Sequence, residues 1–271
     1  MSASPKKVRV STLRRMKAER RRITMVTAYD AITAALAEAA GLDVILVGDS
    51  LGMTALGLPT TLPVTLDMML HHAAAVARGA VTPLLVGDMP FMTYKVSPEQ
   101  ALANAGRMIQ EGSMEAVKIE GGKEMAPVVE RLVEAGLPVM GHIGLLPQSI
   151  HAQGGFRVQG REAGEAERLE AEARALEAAG IFALVLEAMP TGIAERITRA
   201  VAIPTIGVGA GPACDGQVLV TTDLLGLTDK RIPKLARPYA HLFDDAVKAL
   251  RAYAEDVRQG RFPGPENTYG E

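Results

Sequence analysis

The sequence predicts an eight-stranded (β/α)8 TIM barrel, and three observations carry that prediction. Short Val/Ile/Leu runs alternate along the chain with longer Ala/Glu/Leu segments, the pattern of βα units around a parallel sheet. Eight such runs occur in 271 residues, a typical length for this barrel. Several runs end in an ionisable group: "VILVGDS" at Asp49 and Ser50, "LLVGD" at Asp88, "AVKIE" at Glu120, "PVMGH" at His142 and "ALVLE" at Glu187. Charged groups resist burial unless they are compensated. In a parallel barrel every strand's C-terminal end opens on the same face, so these groups would line one polar mouth. A doubly wound open sheet would usually show fewer strands and an early phosphate-binding fingerprint.

The elements follow in order. The first 22 residues are basic and hold one acid, Glu19, a composition that also suits an organellar transit peptide. The preferred reading is a solvated helix over "STLRRMKAERR", with Ser11 as N-cap and Leu13 and Met16 three apart on one face. It runs into the first strand without a linker. Strands are expected at residues 23–27, 44–47, 83–86, 116–119, 138–141, 183–186, 205–208 and 217–220. Helices are expected over "DAITAALAEAAG", "TLDMMLHHAAAVARGA", "SPEQALANAGRMIQEG", "KEMAPVVERLVEAG" and "EAERLEAEARALEAAG". Asp, Thr or Ser opens several of them as a cap, and Gly closes most. The connection "IGLLPQSIHAQGGFRVQGR", residues 143–161, is long enough to read as a lid or binding loop. A final helix with a mixed charged face is expected within "ARPYAHLFDDAVKALRAYAEDVRQGRF". With no linker or low-complexity tract, residues 1–271 read as one barrel domain with a short N-terminal helical extension.

Composition narrows the function. Trp is absent and aromatics make up 4%, which disfavours stacking surfaces for nucleic acid. The formal net charge of -2 supplies no general field for a polyanion or a membrane. No apolar run approaches the roughly 20 residues of a membrane span. The one cysteine, Cys214, excludes an intramolecular disulfide and points to a reducing compartment. It reads as a bystander in a Gly-rich loop.

Chemistry is concentrated at the strand ends. Alternation puts Lys118 and Glu120 on one face of "VKIEGG", either as an ion pair plugging the barrel or as working groups. Asp49, Asp88 and Glu120 form an all-oxygen donor set that favours a hard cation such as Mg2+. The open positions of such an ion suit the two oxygens of a 2-oxo acid. His142 reads equally as a core ring or a substrate contact. "GVGAGPACDGQ" after the seventh strand is a weak phosphate signal, lacking a partner Lys or Arg. The pair His71 and His72 reads as packing or surface.

These residues, in this order, resemble the ketopantoate hydroxymethyltransferase family. The resemblance runs from "STLRRMK" through "TAYD", "VGDSLGM", "TLPVTLD", "GDMPFM", "VKIEGG", "GHIGLLPQS", "GGFRVQGR", "LVLEAMP" and "GVGAGPACDGQVLV" to "IPKLARPY". It implies a barrel of the phosphoenolpyruvate/pyruvate-binding type and transfer of a hydroxymethyl group from 5,10-methylenetetrahydrofolate to 3-methyl-2-oxobutanoate. It implies Mg2+ at Asp49 and Asp88, with Glu120 completing the site, and 2-oxo acid contacts from Asp49, Ser50, Asp88 and Lys118. Glu187 is then the general base. It also implies a cytoplasmic homo-oligomer, with a decamer one candidate size. The rival readings are a Mg2+-dependent lyase or mutase of the isocitrate lyase type, weakened by the position of Cys214, and a non-catalytic barrel.

Overall fold

Residues 6–270 are described in the computed structural model, and the chain divides between Val220 and Thr221 into two compact units. The first unit is a closed barrel in which eight strands neighbour one another in chain order, every pair parallel. They are β1 Ile23–Thr27, β2 Val44–Val47, β3 Leu84–Asp88, β4 Ala116–Glu120, β5 Val139–Gly144, β6 Ala183–Glu187, β7 Thr205–Val208 and β8 Gly216–Leu219. All eight expected strands are present. β3 to β6 run further than their apolar cores suggested, because the ladders extend through the ionisable residues: Asp88 pairs with Lys118, Glu120 with His142 and Gly144 with Glu187.

The helices form where caps and apolar spacing coincide. α1 is Val10–Ala18, α2 Ala31–Ala39, α3 Leu51–Thr54, α4 Leu66–Gly79, α5 Pro98–Gln110, α6 Ala126–Glu134, α7 Glu165–Ala178 and α8 Thr191–Ala200. Asp30, Thr65 and Ser97 accept the N–H groups of Thr33, Met68 and Gln100 at the starts of α2, α4 and α5, satisfying donors that a helix N-terminus leaves unpaired. Ser11 does not cap α1. The helix starts at Val10 after Arg9, whose N–H donates to Thr12 Oγ1 at 3.1 Å, so Ser11 lies inside the first turn.

The expected face of α1 is present, with Leu13 and Met16 both buried. They join Ile23, Val44, Leu84 and Ala116 in one apolar cluster, so the helix closes the end of the barrel where the strands begin. Lys7 donates to the Pro83 carbonyl at 2.7 Å, and Lys17 donates to that of Ile203 at 2.8 Å and pairs with Asp215. The basic segment is thereby part of the barrel, although residues 1–5 of the transit-like stretch lie outside the described part.

Strand alternation then builds the interior in layers. Ile23 and Met25, Val44 and Leu46, Leu84 and Val86, Ala116, Met140, Ala183 and Val185, Ile206 and Val218 all belong to the buried cluster. Continuing by twos along the same faces leads to Asp88, Lys118 and Glu120, His142 and Glu187. The barrel is apolar where its strands start and ionisable where they end.

The stretch at 143–161 is less irregular than expected. β5 takes its first two residues, a 3-10 turn forms at Pro147–Ser149, and Gln153 accepts from the Leu146 N–H and donates to the Gly144 carbonyl. Gly144 has φ +101°, and a Cβ there would lie 2.2 Å from the Glu187 carbonyl oxygen. Only glycine fits this exit from the strand.

The second unit holds α9 Thr221–Leu224 and α10 Leu242–Arg258. The final helix begins later than its mixed pattern suggested, four residues past Pro238; the residue before a proline is disfavoured in the helical region. No residue of α10 is buried, and Leu250 and Tyr253 are exposed. Among the described residues, no helix is long and apolar enough to cross a membrane.

Candidate active site

Four consecutive strands supply the ionisable layer. Lys118 Nζ on β4 lies 2.9 Å from Asp88 Oδ1 on β3 and 3.3 Å from His142 Nδ1 on β5. His142 Nδ1 is 3.5 Å from Glu120 Oε1, and its Nε2 is 3.1 Å from Glu187 Oε2 on β6. Asp49 lies just past β2, where its N–H donates to Asp88 Oδ2 at 3.0 Å. Ser50 precedes α3, with its Oγ 2.9 Å from the Tyr29 hydroxyl. A Cβ on Gly48 would come within 2.7 Å of Ser50 Oγ and 3.5 Å of Asp88 Oδ2, so this glycine leaves room for both. The structure thus brings together all the residues expected at the mouth: Asp49, Ser50, Asp88, Lys118, Glu120, His142 and Glu187.

Burial separates these groups. Asp49, Asp88, Lys118, Glu120 and His142 are all buried, whereas the Glu187 side chain is 18% exposed. Glu187 is therefore the member of the layer open to solvent. The buried acids are strained electrostatically. Burial, then the charges of Asp88 and Glu120, hold the Asp49 carboxyl well above the usual range, against the pull of Lys118 and Gln148. Burial also raises Asp88, with Lys118 opposing it. For Glu120, burial is outweighed by His142, Lys118 and the Gln148 N–H, and its pKa falls. Burial would depress Lys118, but Asp88, Glu120 and Asp49 prevail and keep it cationic. Burial and Lys118 oppose the His142 cation, yet Glu120 and Glu187 raise its pKa overall. Because the ammonium of Lys118 faces Nδ1, both the cation and the compatible neutral tautomer carry a hydrogen on Nε2, which lies 3.1 Å from Glu187 Oε2 but off the line of a hydrogen bond.

Two further residues complete the layer and were not singled out from the sequence. Gln148, from the 3-10 turn, donates through Nε2 to Asp49 Oδ2 and to the Met89 carbonyl, each at 2.9 Å, and its backbone N–H donates to Glu120 Oε2 at 3.0 Å. Tyr94 places its hydroxyl 2.7 Å from Gln148 Oε1 and accepts the Glu120 N–H at 3.1 Å. Loop length was the only signal for Gln148. Tyr94 had none, because an uncharged ring in "MPFMTYK" looks like packing.

Other candidates lie apart from these contacts. His71 is exposed on α4, and His72 Nδ1 meets the Tyr29 carbonyl at 2.6 Å. Cys214 is buried, and burial pushes its thiol up, away from the reactive thiolate.

Among the described residues, no three His, Cys, Asp or Glu side chains are arranged to hold a metal ion. The arrangement at Asp49 and Asp88 still fits a hard divalent cation. Both are buried carboxylates whose charges are incompletely compensated, and Asp88 Oδ1, near Lys118 but off the line of a hydrogen bond, has no hydrogen-bond partner. Two carboxylates with other positions open is a donor set that Mg2+ accepts.

The closed parallel barrel gathers acids, a lysine and a histidine at the C-terminal ends of its strands, the face on which enzymes of the (β/α)8-barrel class carry their active sites. The family model described as ketopantoate hydroxymethyltransferase matches residues 7–265. The chain is 57% identical to a 3-methyl-2-oxobutanoate hydroxymethyltransferase of Oleidesulfovibrio alaskensis, over 92% of this chain and 86% of that one. It is 53% identical to a protein of the same name from Moorella thermoacetica, over 98% and 99%. Among solved structures it resembles phosphonopyruvate hydrolase in complex with oxalate and Mg2+ (TM-score 0.63, 15% identity, 96% of this chain and 93% of that one). It also resembles 2,3-dimethylmalate lyase of the PEP mutase/isocitrate lyase superfamily (TM-score 0.60, 17% identity, 96% and 91%). The chain belongs to the ketopantoate hydroxymethyltransferase family.

Proposed function

We propose that this protein transfers a one-carbon unit from 5,10-methylenetetrahydrofolate to 3-methyl-2-oxobutanoate. With one water consumed, the products are 2-dehydropantoate and tetrahydrofolate. The observation that carries the reading is the partly exposed Glu187 at the same barrel mouth as the buried Asp49, Asp88, Lys118 and Glu120.

Asp49 and Asp88 are the residues proposed to hold Mg2+, with Glu120 adding negative charge behind them. Such an ion would act as a Lewis acid toward the ketone and carboxylate oxygens of the 2-oxo acid. Glu187 removes the hydrogen on C3 as a proton. The electron pair forms the C2–C3 double bond as charge moves onto the ketone oxygen. Water cleaves both C–N bonds of the folate methylene bridge, releasing tetrahydrofolate and the one-carbon unit at the formaldehyde level. The nucleophilic carbon adds to that carbonyl carbon, whose oxygen takes up a proton as the new hydroxyl. Lys118 provides a fixed positive charge beside the developing oxyanion. Ser50 completes the substrate contacts from the start of α3. His142, with Nε2 toward Glu187, orients the base and stabilises its charged form. We assign the protein to the cytoplasm as a homo-oligomer on the family resemblance.

The test is an assay of purified protein with 3-methyl-2-oxobutanoate and 5,10-methylenetetrahydrofolate, with Mg2+ or with a chelator. Turnover to 2-dehydropantoate that stops with chelator is expected. No turnover with Mg2+ overturns the activity, and undiminished turnover in chelator overturns the metal's part in it.

A further inference from the structure

Gln148 divides its hydrogen bonds between two acids of the site and two groups that hold its amide in place. Its Nε2 lies 2.9 Å from both Asp49 Oδ2 and the Met89 carbonyl. Both of those atoms accept, so the amide can face only one way. Oε1 then needs a donor, and the Tyr94 hydroxyl lies 2.7 Å from it. The one hydroxyl hydrogen also has the Glu120 carbonyl within 3.0 Å, and Oε1 is the nearer acceptor, while the hydroxyl oxygen accepts the Glu120 N–H at 3.1 Å. The Gln148 backbone N–H donates to the second carboxylate, at Glu120 Oε2. Side chain and backbone of one buried residue thereby hold acids from the ends of two different strands, and Tyr94 holds the amide.

We infer that Gln148 is the positioning residue of the cation site, and that Tyr94 acts through it. A neutral donor to a carboxylate favours the charged form without adding a cation that would compete with a metal. It fixes one oxygen of Asp49 and leaves the other for the cation, while Glu120 keeps its second oxygen toward His142. Gln148 also belongs to the 143–161 connection, so the order of that loop and the order of the acids depend on one another. The inference rests on the proposed Mg2+ site.

Full-length wild type, Gln148→Ala, Tyr94→Phe and the double variant are titrated with Mg2+ by calorimetry, with melting temperatures in chelator recorded alongside. Loss of a residue that orients metal ligands typically weakens affinity about 10–100-fold, and that is expected for Gln148→Ala. Tyr94→Phe should lose about 2–10-fold, the span of one neutral hydrogen bond. The double variant should match Gln148→Ala, because a residue acting through another adds nothing once the intermediary is gone. A purely structural role would lower the melting temperature and leave the affinity of the folded protein unchanged, which overturns the inference. Effects that multiply in the double variant overturn the link through Tyr94. If Gln148→Ala does not fold, Tyr94→Phe decides, with unchanged affinity overturning and weakened affinity supporting the inference. A wild type that binds no Mg2+ overturns the metal reading and this inference with it, whereas wild-type binding with unaltered variants overturns this inference alone.

Discussion

Asp88 and Lys118 stand opposite each other on β3 and β4, and their side chains meet at 2.9 Å inside the barrel mouth. Removing one partner of a buried pair strands the other charge. Lys118→Met is expected to cost about 3–5 kcal/mol in chelator, measured by urea denaturation. Mg2+ should recover part of that loss, because Asp88 would regain a cation. A variant as stable as wild type in chelator would contradict the pairing.

Asp49→Ala and Asp88→Ala should each fold and lose Mg2+ affinity by more than about 100-fold, beyond the range typical of residues that only orient ligands. Circular dichroism checks the fold and calorimetry the metal. Unchanged affinity in both removes them as the ligands.

The stability end of the barrel should respond in the opposite way. Leu13 and Met16 close the strand-start end, far along each strand from the acids. Leu13→Ala is expected to destabilise by about 2–5 kcal/mol while Mg2+ affinity stays at the wild-type value. A parallel loss of affinity in the folded variant would show that the two ends are coupled.

The loop at 143–161 is proposed to close over the loaded mouth and exclude water. Limited proteolysis within the exposed stretch around Phe156 should slow when Mg2+ and 3-methyl-2-oxobutanoate are added together. Equal cleavage rates with and without them would remove the lid.

Glu187→Gln tests the base. It keeps size and hydrogen bonding, so Mg2+ and 2-oxo acid should still bind. Wild type with Mg2+ should exchange the C3 hydrogen for deuterium without folate, and the variant should exchange about 10²–10⁴-fold more slowly, the usual contribution of a positioned base. Wild-type exchange in a variant unable to complete the reaction would move Glu187 to the one-carbon step and make His142 the next candidate base.

The sequence by itself determined the barrel and the height of its chemistry. Eight apolar runs at βα spacing admit few other closures. A period of two places Asp88, Lys118, Glu120, His142 and Glu187 on the inward faces as soon as Val86, Ala116, Met140 and Val185 are known to point in. Only the tertiary structure decided which of these groups touch. The pairing of Asp88 with Lys118 depends on strand register, and the different burial of Glu187 depends on where each strand ends in three dimensions. Gln148 and Tyr94 were invisible for the same reason. Their role arises from hydrogen bonds across 54 and 99 positions of sequence, and an uncharged amide or phenol carries no sign of such a role until folding brings its partners within 3 Å.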